Sequence, residues 1–147
     1  CGAITSWENR WGQRGIVDNN PDGVSERAKS VLAKAEQMTP EDYRNAMLVR
    51  EEAQLRHRMM APLADAVISL SCPGPAPFWA GDEPGKPLAT RPTGDFVFNG
   101  PSSMLYAPVV TVPMLVVDGM PVGVQVMGQQ HQDAGVTGIA RWLDGLR

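Results

Sequence analysis

Apolar residues recur along this chain with two different periods, and the change of period divides it. Over the first sixty residues the spacing is helical. Ile4, Trp7 and Trp11 fall at intervals of three and four, which suits one face of a short helix in a mixed N-terminal block, residues 1–20. Asn19-Asn20-Pro21-Asp22-Gly23 has turn composition. Over 24–37, Val24, Ala28, Val31, Leu32 and Ala35 form one stripe, with Glu26, Lys29 and Lys34 off it, and this predicts an amphipathic helix. A further helix is predicted over 40–60. Thr39 is placed to accept a backbone N–H bond as N-cap. Pro40 takes the first helical position, where its missing N–H costs nothing, and Glu41 and Asp42 suit the positive end of the helix dipole. On this helix Tyr43, Met47, Arg50 and Gln54 share a face, Leu48, Leu55 and Met59 make an apolar line, and the charge-rich back half predicts a solvated side.

Beyond residue 65 the pattern turns β-like. AVISL, residues 66–70, is a short apolar run that reads as a buried strand, so helix is followed by strand and the class is α/β. Residues 71–94 hold six of the thirteen prolines (Pro73, Pro75, Pro77, Pro84, Pro87 and Pro92) and are predicted to be irregular. A loop of that length in a compact domain often carries function. Two β-type runs follow, 109–112 and 122–126. Pro108 and Pro113 bracket the first. Residues 114–117 and 120–126 flank Asp118-Gly119, which predicts a type I′ hairpin. Val122, Val124 and Val126 alternate with Gly123, Gln125 and Met127, giving one apolar face, and Pro121 puts the second strand beside an edge or irregularity. The chain closes with a predicted amphipathic helix over 133–143. Val136, Ile139, Ala140 and Leu143 face the core there, and Asp133 is its expected N-cap.

Composition narrows the function classes. The 147 residues fit one domain, and 43% hydrophobic with 20% charged residues suits a folded core. A net charge of -3 and a pI near 5.3 give no basic footprint, so no nucleic-acid partner is expected. The basic residues are scattered, and the longest apolar stretch, 106–117, is broken by two prolines, so no membrane partner is expected either. The two cysteines, Cys1 and Cys72, form no disulfide framework and read as thiols in a reducing cytoplasm. The N-terminus has no signal-peptide pattern and no initiator Met, which suggests a processed chain or a piece of a longer one.

A search for chemistry inside the chain yields no catalytic set. His57, between Arg56 and Arg58, reads as a solvated helical residue, and His131 as a loop or cap residue. No metal-ligand spacing is present and no metal is assigned. Neither GxGxxG nor GxxxxGK[ST] occurs, and no cofactor is expected. Ser102-Ser103 is the only adjacent serine pair. It lacks the surrounding glycines of an oxyanion pocket and reads as a turn or cap, with no local pattern tying Lys29, Lys34 or Lys86 to it. Cys1 raises an N-terminal nucleophile, which a helix starting just after it opposes. Glu41-Asp42 and Glu51-Glu52 are adjacent on a helix and diverge.

Four ordered segments nevertheless resemble one family. Residues 39–46 with Arg50 resemble a "dYxxAxxxR" helix, and residues 65–77 are similar to a "D-v-l-l-t-P-t-x-p-x-p-A-p" strand and loop. Residues 107–113 resemble "l-P-a-i-s-v-P", and residues 119–128 match "G-l-P-v-G-l-Q-l-i-G" closely, with Asp133 at the acidic position opening the last helix. These are motifs of the amidase signature hydrolases. The resemblance implies part of a mixed β-sheet flanked by helices, and hydrolysis of amides, with esters or carbamates as further substrates. It implies a Ser–Ser–Lys triad and a glycine-rich oxyanion hole lying in the other half of the enzyme, so no catalytic residue is carried over. One departure stands out. The family often has "N-x-x-G" before "l-P-a", and Ser103 and Tyr106 occupy those positions here.

The reading is therefore a cytoplasmic amidase of which residues 1–147 supply the C-terminal part of a single domain, inactive alone. Its expected partners are the remaining N-terminal half, on the same or a separate chain, and a small amide, ester or carbamate; a homodimer is left open. Trp79, Phe96, Phe98, Asn99 and Tyr106 are the expected substrate-binding residues. The alternatives are a non-catalytic scaffold and an amidotransferase subunit. Exposed sheet edges are expected to make the chain aggregate when expressed alone.

Overall fold

The structure is a computed structural model and describes residues 1–79, 81 and 96–146. The described residues form two compact units. One comprises Cys1–Val49 with Phe78, Trp79 and Gly81; the other comprises Arg50–Pro77 and residues 96–146.

The first unit is helical. Helix α1 spans Gly2–Asn19, far longer than the short helix expected. Its apolar face is also narrower. Ile4 is buried and Trp7 stacks on Tyr43 at 5.6 Å between ring centroids, whereas Trp11 is exposed. The Arg10 guanidinium lies 3.4 Å from the centre of the Trp7 ring and 5.1 Å from that of Trp11, so a cation covers the indoles that a core would otherwise bury. After α1 the expected turn is a single 3-10 turn, Pro21–Gly23, whose Gly23 N–H donates to the Asn20 side chain. Helix α2, Glu26–Glu36, is capped by Ser25 and buries Leu32 and Ala35. Arg14 of α1 ties it down through a two-pronged contact with Glu36.

Helix α3 runs Pro40–Met59, and its start is built as read. Thr39 Oγ1 accepts from the Asp42 N–H at 3.1 Å, while Asp42 Oδ2 accepts from both the Thr39 N–H and the Thr39 hydroxyl at 2.8 Å. These bonds hold the Asp42 carboxyl below the usual carboxylate range, with the backbone bond the largest cause. A depressed pKa in the folded state means that the box stabilises the helix fully above the ordinary carboxylate pKa of about 4. That stability is lost as pH falls through the lowered value. Helix stability at Asp42 is thus expected to drop on acidification below about pH 4, and Asp42→Asn should abolish that pH step. Amide exchange at the first turn of α3, measured against pH, checks this.

The apolar line expected along α3 is not buried in this chain. Leu48, Leu55 and Met59 are all exposed. His57, expected in solvent, is instead the buried residue of the helix, at 7% exposure, because its ring finds a backbone acceptor. That acceptor is the Gly128 carbonyl, 2.9 Å from Nε2.

The second unit is a sheet with a helix packed on it. Strand β1 (Val67–Leu70) comes first, a short helix α4 (Asn99–Leu105) follows, and then strands β2 (Val109–Val117) and β3 (Met120–Met127). The strands pair antiparallel in the order β1-β3-β2. Asp118 and Gly119 have φ of 51° and 75°, positive at both central residues as a type I′ hairpin demands. The two runs around Pro113 join into one strand. The register slips between Val112 and Leu115, and this irregularity on an edge strand accommodates the proline's missing N–H. Pro121 lies beyond the reach of β1, whose last pair is Leu70 with Val124.

Helix α5, Asp133–Asp144, packs on β2 and β3, and Val112, Val126, Val136, Ala140 and Leu143 form the core beneath it. Its N-cap is Gln132, not Asp133, which opens the first turn instead. The helix begins one residue earlier than an Asp133 N-cap implies, with Asp133 as the acidic residue that opens it. β1 is not the buried strand expected. Ile68 pairs with Val126 and so shares its face, yet it is 53% exposed while Val126 is 0%. Ile68 lies on β1, an edge strand, and the helix packs on β2 and β3.

Candidate functional site

The second face of the sheet carries Gly123, Gln125 and Met127 from β3, with Thr111 and Ser69 opposite Gln125 on either side. Gln125 is 3% exposed, a depth at which an unpaired amide would be costly. Its Nε2 donates to Ser69 Oγ and to the Phe98 carbonyl, both at 2.9 Å. One buried amide thus joins β3, β1 and the segment carrying the candidate residues. Two positions away, Gly123 leaves room for Ser71, whose N–H and hydroxyl both donate to the Gly123 carbonyl at 2.9 and 3.0 Å. A Cβ at Gly123 would lie 2.5 Å from Ser71 Oγ.

The segment held by Gln125 leads into helix α4, where the sequence suggested only a turn. Gly100 and Pro101 disguise it. Both fall in its first turn, where backbone N–H groups have no partner inside the helix and a proline loses nothing. The Phe96 carbonyl takes two of those N–H groups, from Asn99 at 3.0 Å and Gly100 at 2.8 Å. Ser102 donates its hydroxyl to the Asn99 carbonyl at 2.9 Å, which supports the structural role read for the serine pair.

The far end of α4 is held by side chains. Gln54 of α3 donates to the Met104 carbonyl at 3.0 Å, and Gln130 donates to the Leu105 carbonyl at 3.5 Å. These satisfy carbonyls that the end of a helix leaves open. Tyr106 ends the helix with φ 54° and ψ 32°. This left-handed backbone favours glycine. Arg50 NH1 lies 2.6 Å from the Tyr106 hydroxyl, and its guanidinium carbon lies 5.1 Å from the centre of the ring. Gln129 completes the frame by donating to the His57 carbonyl at 2.8 Å.

Of the expected site residues, Phe96, Phe98 and Asn99 come together in a single turn. Phe98 is half-buried, and Phe96 and Asn99 are exposed. Tyr106 is also exposed but stands at the other end of α4, about 10 Å away along an axis that rises 1.5 Å per residue. Trp79 is exposed and belongs to the first unit. Of the prolines expected to shape the long loop, Pro84, Pro87 and Pro92 lie outside the described residues, as does Lys86. Gln54, Gln125 and Gln130, which mount α4 on its surroundings, were missed as site residues. Gln125 had a signal, since it is the lone polar side chain in an otherwise apolar strand. Among the described residues no group of three or more His, Cys, Asp or Glu is placed to hold a metal ion, and no helix is long and apolar enough to cross a membrane.

Comparison with known proteins bears on this arrangement. The chain matches a solved structure described as an amidase with 28% identity and a TM-score of 0.80, over 96% of this chain and 33% of that one. A bacterial aryl acylamidase of the amidase signature enzymes superposes with a TM-score of 0.71 at 11% identity, over 97% of this chain and 31% of that one. A glutamyl-tRNA(Gln) amidotransferase subunit from Thermotoga maritima gives 0.55 at 19% identity, over 95% and 32%. The chain thus spans about a third of the length of the solved structures it matches. No curated protein matches the sequence. The family model described as Amidase covers residues 13–137, from α1 through both strands of the hairpin and into α5. With the antiparallel hairpin, the helix upon it and four ordered motifs inside that span, the chain belongs to the amidase family, the amidase signature enzymes.

Proposed function

We propose that this chain is the C-terminal part of an enzyme that hydrolyses C–N bonds of small amides, and that α4 with its flanks forms one wall of the substrate pocket. The family match over residues 13–137 carries the reading. The wall consists of Phe96, Phe98, Asn99 and Tyr106, mounted on the sheet through Gln125. Exposed aromatic side chains on a braced backbone suit recognition of an acyl or leaving group. The nucleophilic serine, its serine–lysine relay and the oxyanion donors come from outside residues 1–147. Ser102 is held by a backbone carbonyl and belongs to the wall's own framework.

The test is hydrolysis of a panel of small amides, esters and carbamates by the complete enzyme and by this chain alone. The complete enzyme is expected to cleave amides, and the chain alone to be inert. Phe98→Ala in the complete enzyme should change relative kcat/KM across the panel. An unchanged ranking in a well-folded variant removes that residue from the pocket. A complete enzyme inert on every amide supports a non-catalytic scaffold instead.

A further inference from the structure

Tyr106 is a bulky residue in a backbone conformation that glycine adopts freely, and it is exposed, so burial in a core does not explain it. Such strain persists where surrounding contacts over-determine it, and it gathers at functional sites. Its side chain meets Arg50, while Gln54 and Gln130 hold the backbone just before it. A guanidinium has only donors, so across the 2.6 Å between Arg50 NH1 and the phenol the tyrosine oxygen must accept. The single phenolic hydrogen is then directed elsewhere. Bonding to a cation polarises that O–H and strengthens it as a donor.

Among the described residues Arg50 has no carboxylate partner. Its Nε is buried and has no hydrogen-bond partner among them. The site therefore presents an O–H donor not used by Arg50 and backed by the guanidinium's positive charge. Both features select for an anionic oxygen acceptor, and neither attracts a methyl group.

We infer that Tyr106, positioned by Arg50, recognises a carboxylate carried by the substrate away from the scissile bond. Tyr106 is the residue that touches substrate, and Arg50 acts through it. This rests on the amidase reading and names the substrate class for it: acyl amides whose far end is an acid.

The test uses two p-nitroanilides of equal chain length, glutaryl and valeryl, which differ only in carboxylate against methyl at the far end. Release of p-nitroaniline is followed in the complete enzyme. The wild type is expected to favour the glutaryl compound in kcat/KM. Tyr106→Phe should cut the glutaryl-to-valeryl ratio about tenfold, the scale of a hydrogen bond to a charged group. Loss of folded enzyme cancels in that ratio. Arg50→Met should lower the ratio comparably through a raised KM for the glutaryl compound, and Arg50→Lys, which keeps a cationic donor, should restore part of it. A wild type without the preference, or a ratio that Tyr106→Phe leaves unmoved, overturns the inference while amide hydrolysis stands. Failure to cleave either anilide removes the hydrolase reading, and this inference with it. A ratio unmoved by Arg50→Met removes the positioning role.

Discussion

Gly128→Ala is expected to destabilise the sheet unit by about 2 kcal/mol, and Gly128→Val by about 3, the scale of overpacking a closed core. A Cβ at this position would overlap Val136 Cγ2, and Val136 is 1% exposed in the core under α5. Val136 is β-branched and on a helix, so it has essentially one rotamer and cannot swing aside. The backbone cannot retreat either. The Gly128 N–H donates to the Pro108 carbonyl at 3.1 Å, and its own carbonyl accepts from His57. Native-state hydrogen exchange of the last β3 amides would read the loss. The mechanism makes a sharper claim, that Val136→Ala restores much of the stability lost in Gly128→Ala by opening the space the new methyl needs. Equal and additive losses in the double variant would show that the contact is not the cause.

Gln125→Met ranks second, with an expected loss of about 2 kcal/mol. Methionine matches the shape, so little packing is lost. What goes is the donor that serves both Ser69 Oγ and the Phe98 carbonyl. Acceptors left dry cost more than the bond that satisfied them contributed. The functional consequence follows from position. Phe98 immediately precedes α4 and stands at the start of the proposed wall, so on that reading releasing its carbonyl should raise KM and leave kcat little changed. A fall in kcat with KM unchanged would place Gln125 in the chemistry and not in the mounting of the wall.

The two predictions share a cause. Gln125 lies on the central strand and Gly128 directly follows that strand, and they serve opposite purposes. Gly128 lets α5 close on one face, and Gln125 fastens the candidate wall to the other. The motif "G-l-P-v-G-l-Q-l-i-G" marks both positions, together with Gly123, which admits Ser71. It is therefore a packing motif as much as a family label. Its two later glycines and its glutamine each answer a steric or hydrogen-bonding demand of a central strand with both faces occupied.

The sequence alone determined the elements whose causes are local. The Thr39-Pro40-Glu41-Asp42 start of α3 needs only its own four residues, and the structure forms it with the bonds its side chains allow. Asp118-Gly119 dictates a hairpin because the backbone signs it requires are available to those two residues. The core face of α5 follows from period alone. Family membership was also legible, because four motifs retain their order. Tertiary structure decided the rest. His57 is polar and flanked by arginines, so nothing nearby in sequence reveals the Gly128 carbonyl that buries it. Helix α4 is too short and too rich in Gly and Pro to register by period, and it is held by glutamines distant in sequence. Ile68 sits in an apolar run that local pattern calls buried, but exposure depends on whether a helix covers that strand. Tyr106 shows the division most clearly. Its departure from a glycine position was readable in the chain, whereas its left-handed backbone and its bond to Arg50, 56 residues away, exist only once the fold brings α3 to the end of α4.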